Sequence, residues 1–176
     1  DRYQECLKTY PEKRKKYDLA MQKWQEAAKI AEANGNSKPL QPNMPMGPDN
    51  FQHPCGLYNG MIHPVINYKI KGILWYQGEA NAARAYQYCS LFPALIENWR
   101  GLWQNKNLPF YYVQISPYKY EPEYVAAELR QAQLLALKVP QTGMAVTLDI
   151  GDINDIHPKN KKDVGLRLAN LALNST

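Results

Sequence analysis

Two short stretches of this chain carry residue types that do chemistry. In ILWYQGEANA (73–82) an apolar run stops abruptly at Gln77, Gly78 and Glu79, with Asn81 close behind. The Gln77 carboxamide offers N–H donors, Gly78 would admit a ligand close to the backbone, and Glu79 could hold the amide or its loop in place. Donors preorganised around a developing oxyanion lower a barrier by roughly 3–4 kcal/mol. Gln77, Gly78, Glu79 and Asn81 are therefore the candidate oxyanion and substrate-binding set. The second stretch, DINDIHPKNK, puts His157 immediately before Pro158. A neutral imidazole accepts a proton near neutral pH. Asp155 or Asp152 could accept a hydrogen bond from its other nitrogen, as the acid of a triad does. Pro158 is the expected first residue of the last helix, whose positive end would disfavour an imidazolium. Each stretch also has a plain structural reading. His157 would be a helix cap with acids nearby, and Gln-Gly-Glu a polar strand end followed by a helix's first turn.

The elements that must position these groups can be read from periodicity. GILWY (72–76), PFYYVQI (109–115) and GMAVTLDI (143–150) are continuous apolar runs, the pattern of strands covered on both faces. Helical patterns lie between them. Tyr86, Cys89, Phe92, Ile96, Trp99 and Trp103 step by three, four and seven, with Pro93 expected to kink or restart the helix. Val125, Leu129, Ala132 and Ala136 follow Pro122, and Val164, Leu168 and Leu171 follow Pro158. Strand alternating with helix predicts an α/β fold, a parallel sheet in three α/β/α layers. Open parallel sheets bind ligands outside the carboxyl ends of their strands. Both polar clusters fall there, so topology alone would carry two distant segments to one rim.

Upstream, Tyr3, Tyr10, Tyr17, Trp24 and Ala31 recur every seven residues, and Pro11 interrupts the pattern. A helical pair over 1–36 is predicted, the longer member starting near Glu12 and capped at Gly35. Residues 37–56 carry five prolines and read as an extended connector laid over the next unit, residues 57–176. The net charge is +5, but both signs are interleaved and the one dense basic run, 13–16, reads as a solvated helix face, so nucleic-acid binding is not expected. No apolar run approaches the roughly 20 residues of a membrane span. Cys6, Cys55 and Cys89 lack metal-type spacing and allow at most one disulfide.

The segments GLYNGMIHPV, GILWYQGEANA, YCSLFPALIENWRGLW, LPFYYVQI, ELRQAQLLAL and GMAVTLDIGDINDIHPKNKKDVGLRLA together resemble the bacterial sialate O-acetylesterases of the SGNH-hydrolase superfamily, beside acetylxylan esterases of similar build. The resemblance runs over about 56–173. Its most specific parts are Gln-Gly-Glu and Asp-Ile-His-Pro. The helical and proline-rich segments resemble an insertion found in many members. The resemblance implies an SGNH, flavodoxin-like sheet and a metal-free, cofactor-free serine esterase acting on an O-acetylated carbohydrate. His157 would be the general base and Gln77 the oxyanion donor. Many SGNH enzymes carry an aspartate three residues before the histidine, where this chain has Asn154. Asp155 is the first choice for the acid, Asp152 the second, and a Ser–His dyad helped by a backbone carbonyl the third arrangement.

The nucleophile is the main departure. The family's serine lies in a Gly-rich turn after the first strand, ahead of every segment quoted above. Ser37, Ser90, Ser116 and Ser175 are the only serines here, and none sits in such a turn. Ser116 follows a strand, and Cys55 with His53 is a conceivable thiol pair, but neither context suits a nucleophile. The expectation is an N-terminally truncated sheet, inactive alone, with an exposed apolar edge open to self-association. Competing readings are a non-catalytic carbohydrate-binding module and an interaction domain docked through residues 1–36. By resemblance, a periplasmic or extracellular location is expected.

Overall fold

The computed structural model describes residues 2–174, so Ser175, one of the four serines weighed above, lies outside the described residues. The chain forms two compact units, Asp1–Ile66 and Asn67–Thr176.

The first unit is built on α1 (Arg2–Ala33), a single helix of 32 residues that runs straight through Pro11. The predicted helical pair is thus corrected to one helix. A proline here removes one N–H and crowds the carbonyl four residues earlier, at a cost of about 3 kcal/mol. The cost is offset by what lies on either side. The covered stripe of Cys6, Leu7, Tyr10, Arg14, Tyr17, Met21, Trp24, Ala28 and Ala31 keeps helical spacing across Pro11, and a break there would split it. The helix ends as the sequence indicates. Gly35 takes φ +69°, and the Asn36 N–H returns to the Ala31 carbonyl at 2.8 Å, a Schellman cap.

Within this unit the proline-rich segment runs back antiparallel along α1. Trp24 Nε1 donates to the Pro39 carbonyl at 2.8 Å, Gln41 Nε2 lies 3.8 Å from Met21 Sδ, and Tyr10 Oη donates to Asp49 at 2.9 Å. Arg14 bonds both Asp49 and Asp18. A Cβ on Gly47 would lie 2.1 Å from the Tyr10 ring, so only glycine lets the strap pass under that aromatic. Proline supplies an extended strap whose missing N–H groups need no ladder partner.

The second unit is a parallel α/β sandwich of the expected class. Its sheet has the order β1 (Ile73–Trp75), β2 (Phe110–Val113), β3 (Thr142–Ala145), with Ile73 beside Phe110 and Phe110 beside Thr142. Helices α2 (Ala85–Leu102) and α3 (Tyr124–Leu135) cover one face, where Ile73, Phe110 and Tyr112 pack on Phe92, Ile96 and Leu129. Helix α4 (Lys161–Asn174) covers the other, where Tyr111, Val113 and Ala145 meet Val164 and Leu168. Alternation along β2 sends its aromatics to opposite faces, and all four of its residues are buried. That is why the run reads as continuously apolar. Pro93 again lies inside an unbroken helix rather than restarting it.

Arg100 ties the amino ends of the strands to α2. Its buried guanidinium donates to the carbonyls of Leu108 (3.1 Å), Pro140 (2.7 Å) and Gln141 (3.2 Å). This staple leaves the carboxyl ends free to carry the polar segments. The third strand is shorter than predicted, ending at Ala145 instead of residue 150. The Gln114 N–H takes the Ala145 carbonyl at 2.9 Å, and Thr147 Oγ1 turns inward to the Gln114 carbonyl at 2.8 Å. Beyond that point β2 presents no further ladder, so the chain turns away.

Candidate active site

Residues 76–78 leave the carboxyl end of β1 and enter a 3-10 turn, Glu79–Arg84, that leads into α2. The Asn81 N–H closes this turn on the Gly78 carbonyl at 2.8 Å. Asn81 Oδ1 accepts a 2.7 Å hydrogen bond from Gln77 Nε2. Asn81 is thus the group that holds the Gln77 amide, the role expected of Glu79. Gln77 Nε2 carries two N–H groups, so one stays available beyond the Asn81 bond. On the carbonyl side, Tyr88 Oη reaches both the Gln77 backbone oxygen and Oε1 at 3.5 Å, long contacts at the edge of hydrogen bonding. Burial pushes the Tyr88 hydroxyl up to about 12, so it remains a neutral donor across the physiological range.

Gly78 is packed tightly against the core. It is buried, and a Cβ there would lie 2.6 Å from Ile115 Cγ2, 3.1 Å from Gln133 Nε2 and 3.4 Å from Leu129 Cδ2. A close approach at this glycine is made by the core. Gln133 is fully buried and clamps the end of β2, its Oε1 accepting from the Ile115 N–H at 2.9 Å and its Nε2 donating to the Val113 carbonyl at 3.1 Å. Gly78→Ala is expected to destabilise the fold by about 1–3 kcal/mol through overpacking. Urea denaturation checks this, and an unchanged midpoint would show that Ile115 yields without strain.

The histidine segment is anchored from α4. Arg167 makes a forked pair with Asp149, at 2.7 and 2.6 Å, and also holds the Val146 carbonyl. The pair keeps the Asp149 carboxyl at about 2, below its usual range, chiefly through the Arg167 hydrogen bond. Residues 152–157 then fold into linked turns. Asp152 Oδ1 accepts from the Asn154 N–H and Asp155 Oδ1 from the His157 N–H, both at 2.9 Å. Both candidate acids therefore bond backbone amides, and among the described residues no side chain hydrogen-bonds the His157 ring. Asp155 shapes the loop that presents the imidazole.

Helix α4 begins at Lys161, three residues after the expected Pro158. The reason is a better cap: Asn160 Oδ1 accepts from the Asp163 N–H at 3.2 Å, while Asn160 Nδ2 donates to the Asp163 carboxylate at 2.7 Å. His157 therefore stands four residues before the helix. The expected effect of the helix's positive end on its ring does not apply, because that effect is confined to the first turn.

The two segments meet. Tyr76, Gln77 and Glu79 from the end of β1, and Ile156, His157, Pro158 and Lys161 from the approach to α4, line one pocket of about 280 Å³. That is near the lower bound of about 300 Å³ for small-molecule sites. Lys161 Nζ sits 4.7 Å from the centroid of the Tyr76 ring. Sequence reasoning missed Tyr76, Tyr88 and Lys161. Tyr76 reads as the last residue of an apolar run, Tyr88 falls outside the stripe expected from Tyr86 and Cys89, both of which are exposed while Ala85 and Tyr88 are buried instead, and Lys161 reads as one residue of a charged run. Of the serines, Ser90 Oγ bonds the Gln87 carbonyl on the exposed side of α2, and Ser116 is buried with its Oγ 3.3 Å from Thr147 Oγ1. Neither lines the pocket. Ser37 and Cys55 belong to the first unit, where His53 Nδ1 contacts the Pro54 carbonyl at 2.8 Å; Cys6, Cys55 and, in the second unit, Cys89 are free thiols. Among the described residues, no group of three or more His, Cys, Asp or Glu stands together to hold a metal ion, and no helix is long and apolar enough to cross a membrane.

Residues 47–174 match the protein family described as carbohydrate esterase, sialic acid-specific acetylesterase. Sialate O-acetylesterase of Mus musculus is 38% identical over 132 residues, covering 64% of this chain and 24% of the relative. The Homo sapiens protein of the same name is 36% identical over 132 residues, covering 64% of this chain and 25% of the relative. The chain thus spans about a quarter of the length of the curated relatives it matches. A crystal structure of a carbohydrate acetylesterase from Xanthomonas citri superposes with a TM-score of 0.67 at 45% identity, over 72% of this chain and 31% of that one.

Proposed function

Because the chain belongs to the carbohydrate esterase, sialic acid-specific acetylesterase family, we propose that it forms the histidine-bearing wall of an esterase that removes acetyl groups from sugar hydroxyls. The observation that carries this reading is the shared pocket of Gln77 and His157, delivered from separate strand ends. In the proposed reaction His157 takes the proton of a serine hydroxyl as that oxygen attacks the acetyl carbon. The free N–H of Gln77 Nε2 stabilises the oxyanion, and His157 then protonates the departing sugar oxygen. Water repeats the sequence on the acetyl-enzyme and releases acetate. Asp155 and Asn81 are positioning residues, acting through the loop backbone and the Gln77 amide. An arrangement in which the imidazole works without a carboxylate partner, the dyad form, fits this geometry best.

No described serine lines the pocket, which supports a nucleophile supplied from outside these 176 residues. The isolated chain is expected to hydrolyse an aryl acetate no faster than buffer. Turnover abolished by Ser116→Ala would overturn that assignment. The same feature favours one competing reading, a non-catalytic sugar-binding module. Restored hydrolysis on joining the chain to a serine-bearing segment separates the two, since a binding module stays inert.

Strand β1 is unpaired on its outer side among the described residues, and Leu74 on it is 64% exposed. Self-association through this edge is part of the proposal. Size-exclusion chromatography should show concentration-dependent growth that Leu74→Lys suppresses, and a monomer at every concentration would contradict it. A periplasmic or extracellular location also belongs to the proposal. It rests on the resemblance alone and is checked by cell fractionation, where a cytosolic protein would refute it.

A further inference from the structure

Asn81 holds the Gln77 carboxamide in place, but that bond does not decide which end of the amide serves the pocket. A glutamine–asparagine pair is satisfied in two ways, because turning both carboxamides by 180° exchanges donor for acceptor and keeps the hydrogen bond. In the turned pair Oε1 would lie where Nε2 lies now, and an oxygen there repels an oxyanion. A third partner has to break the symmetry. Tyr88 is 4% exposed and its ring stacks on Phe92 with centroids 5.0 Å apart, so its hydroxyl has a fixed place. Both hydrogen bonds that this hydroxyl donates among the described residues go to Gln77, one to the backbone oxygen and one to Oε1. The hydroxyl oxygen, in turn, faces donors. The Trp75 indole carries only an N–H, and Gln133 Nε2 has a proton left after bonding the Val113 carbonyl at 3.1 Å. Burial raises the Tyr88 pKa, and these two side chains act against that rise, as donors to a phenol oxygen do. An oxygen so supplied has no lone pair left for Gln77 Nε2, and only Oε1 fits against it.

We infer that Tyr88 is a positioning residue for the oxyanion donor: its hydroxyl takes the oxygen end of the Gln77 carboxamide and thereby turns the nitrogen end to the pocket. This deepens the esterase reading and rests on it for the use made of that nitrogen. Asn81 sets where the amide lies, and Tyr88 sets which way it faces. Losing the hydroxyl leaves Asn81 able to bond either end.

The test reads the Gln77 side-chain amide by NMR in this chain and needs no nucleophile. In the unmodified chain Nε2 should be ordered, with an order parameter of about 0.8. Tyr88→Phe keeps the ring on Phe92 and removes the hydroxyl. The amide should then jump between two orientations, seen as an order parameter below about 0.6 or as exchange broadening, while the backbone amides of Gly78 and Glu79 stay as they were. Adding Asn81→Asp should restore a single ordered amide, because a carboxylate only accepts and so holds the nitrogen end by itself. A mobile amide in the unmodified chain, an ordered one in Tyr88→Phe, or disorder that Asn81→Asp leaves in place would each overturn the inference. So would loosening of the backbone together with the side chain, which would make Tyr88 a packing residue. None of these results touches the esterase reading, which is judged separately by hydrolysis in the His157 and Gln77 variants.

Discussion

His157→Ala is expected to lower kcat/KM for acetyl-ester hydrolysis by about 10³-fold or more in an enzyme complete with its serine, equivalent to about 4 kcal/mol of transition-state stabilisation. The imidazole lines the pocket, and histidine is the side chain most often used as a general acid and base. The loss should fall on kcat, since the group acts in proton transfer rather than in holding the sugar. The fold should be untouched, because the His157 side chain is exposed and its ring is bonded by no side chain among the described residues. Steady-state kinetics beside a urea melt separate the two effects. A variant that keeps activity within about tenfold of wild type would remove His157 from the chemistry.

Gln77→Ala is expected to cost about 10²–10³ in kcat, the range for deleting one oxyanion donor. Here the donor is preset: Asn81 fixes one N–H of the amide at 2.7 Å, and the other does not have to reorganise as charge develops. KM should change little, because the ground-state carbonyl gains less from that donor than the oxyanion does. If kcat holds and only KM rises, Gln77 binds the sugar rather than stabilising the transition state.

How much of this was legible beforehand depends on the range over which each feature is decided. The parallel sheet and the order of its elements follow from local patterns, because β2 is buried on both faces and α2, α3 and α4 bury residues at helical spacing. The meeting of Gln77 with His157 was legible for the same reason, since parallel topology puts all strand carboxyl ends on one rim. What escaped was decided by tertiary competition. Pro11 marks a helix break on local grounds, but the covered stripe crossing it carries α1 through. Pro158 is a sound first helical residue in isolation, yet the reciprocal Asn160–Asp163 cap wins three residues later. Gly78 signals a close approach without saying by what, and the answer is Ile115. Asp155 lies two residues from His157, a spacing equally suited to a bond with the backbone amide, and that bond forms. Lys161 was hidden because a lysine in a charged run gives no local sign that Tyr76 orients it.

The central claim is that Gln77 and His157 grip one acetyl group from two sides of a single pocket. Its most direct test is to follow the Gln77 side-chain amide and the His157 ring by NMR while the chain is titrated with an O-acetylated sugar. Both signals are predicted to shift along one isotherm with a common Kd. Movement of one without the other, or two separate isotherms, would mean the two groups serve different sites.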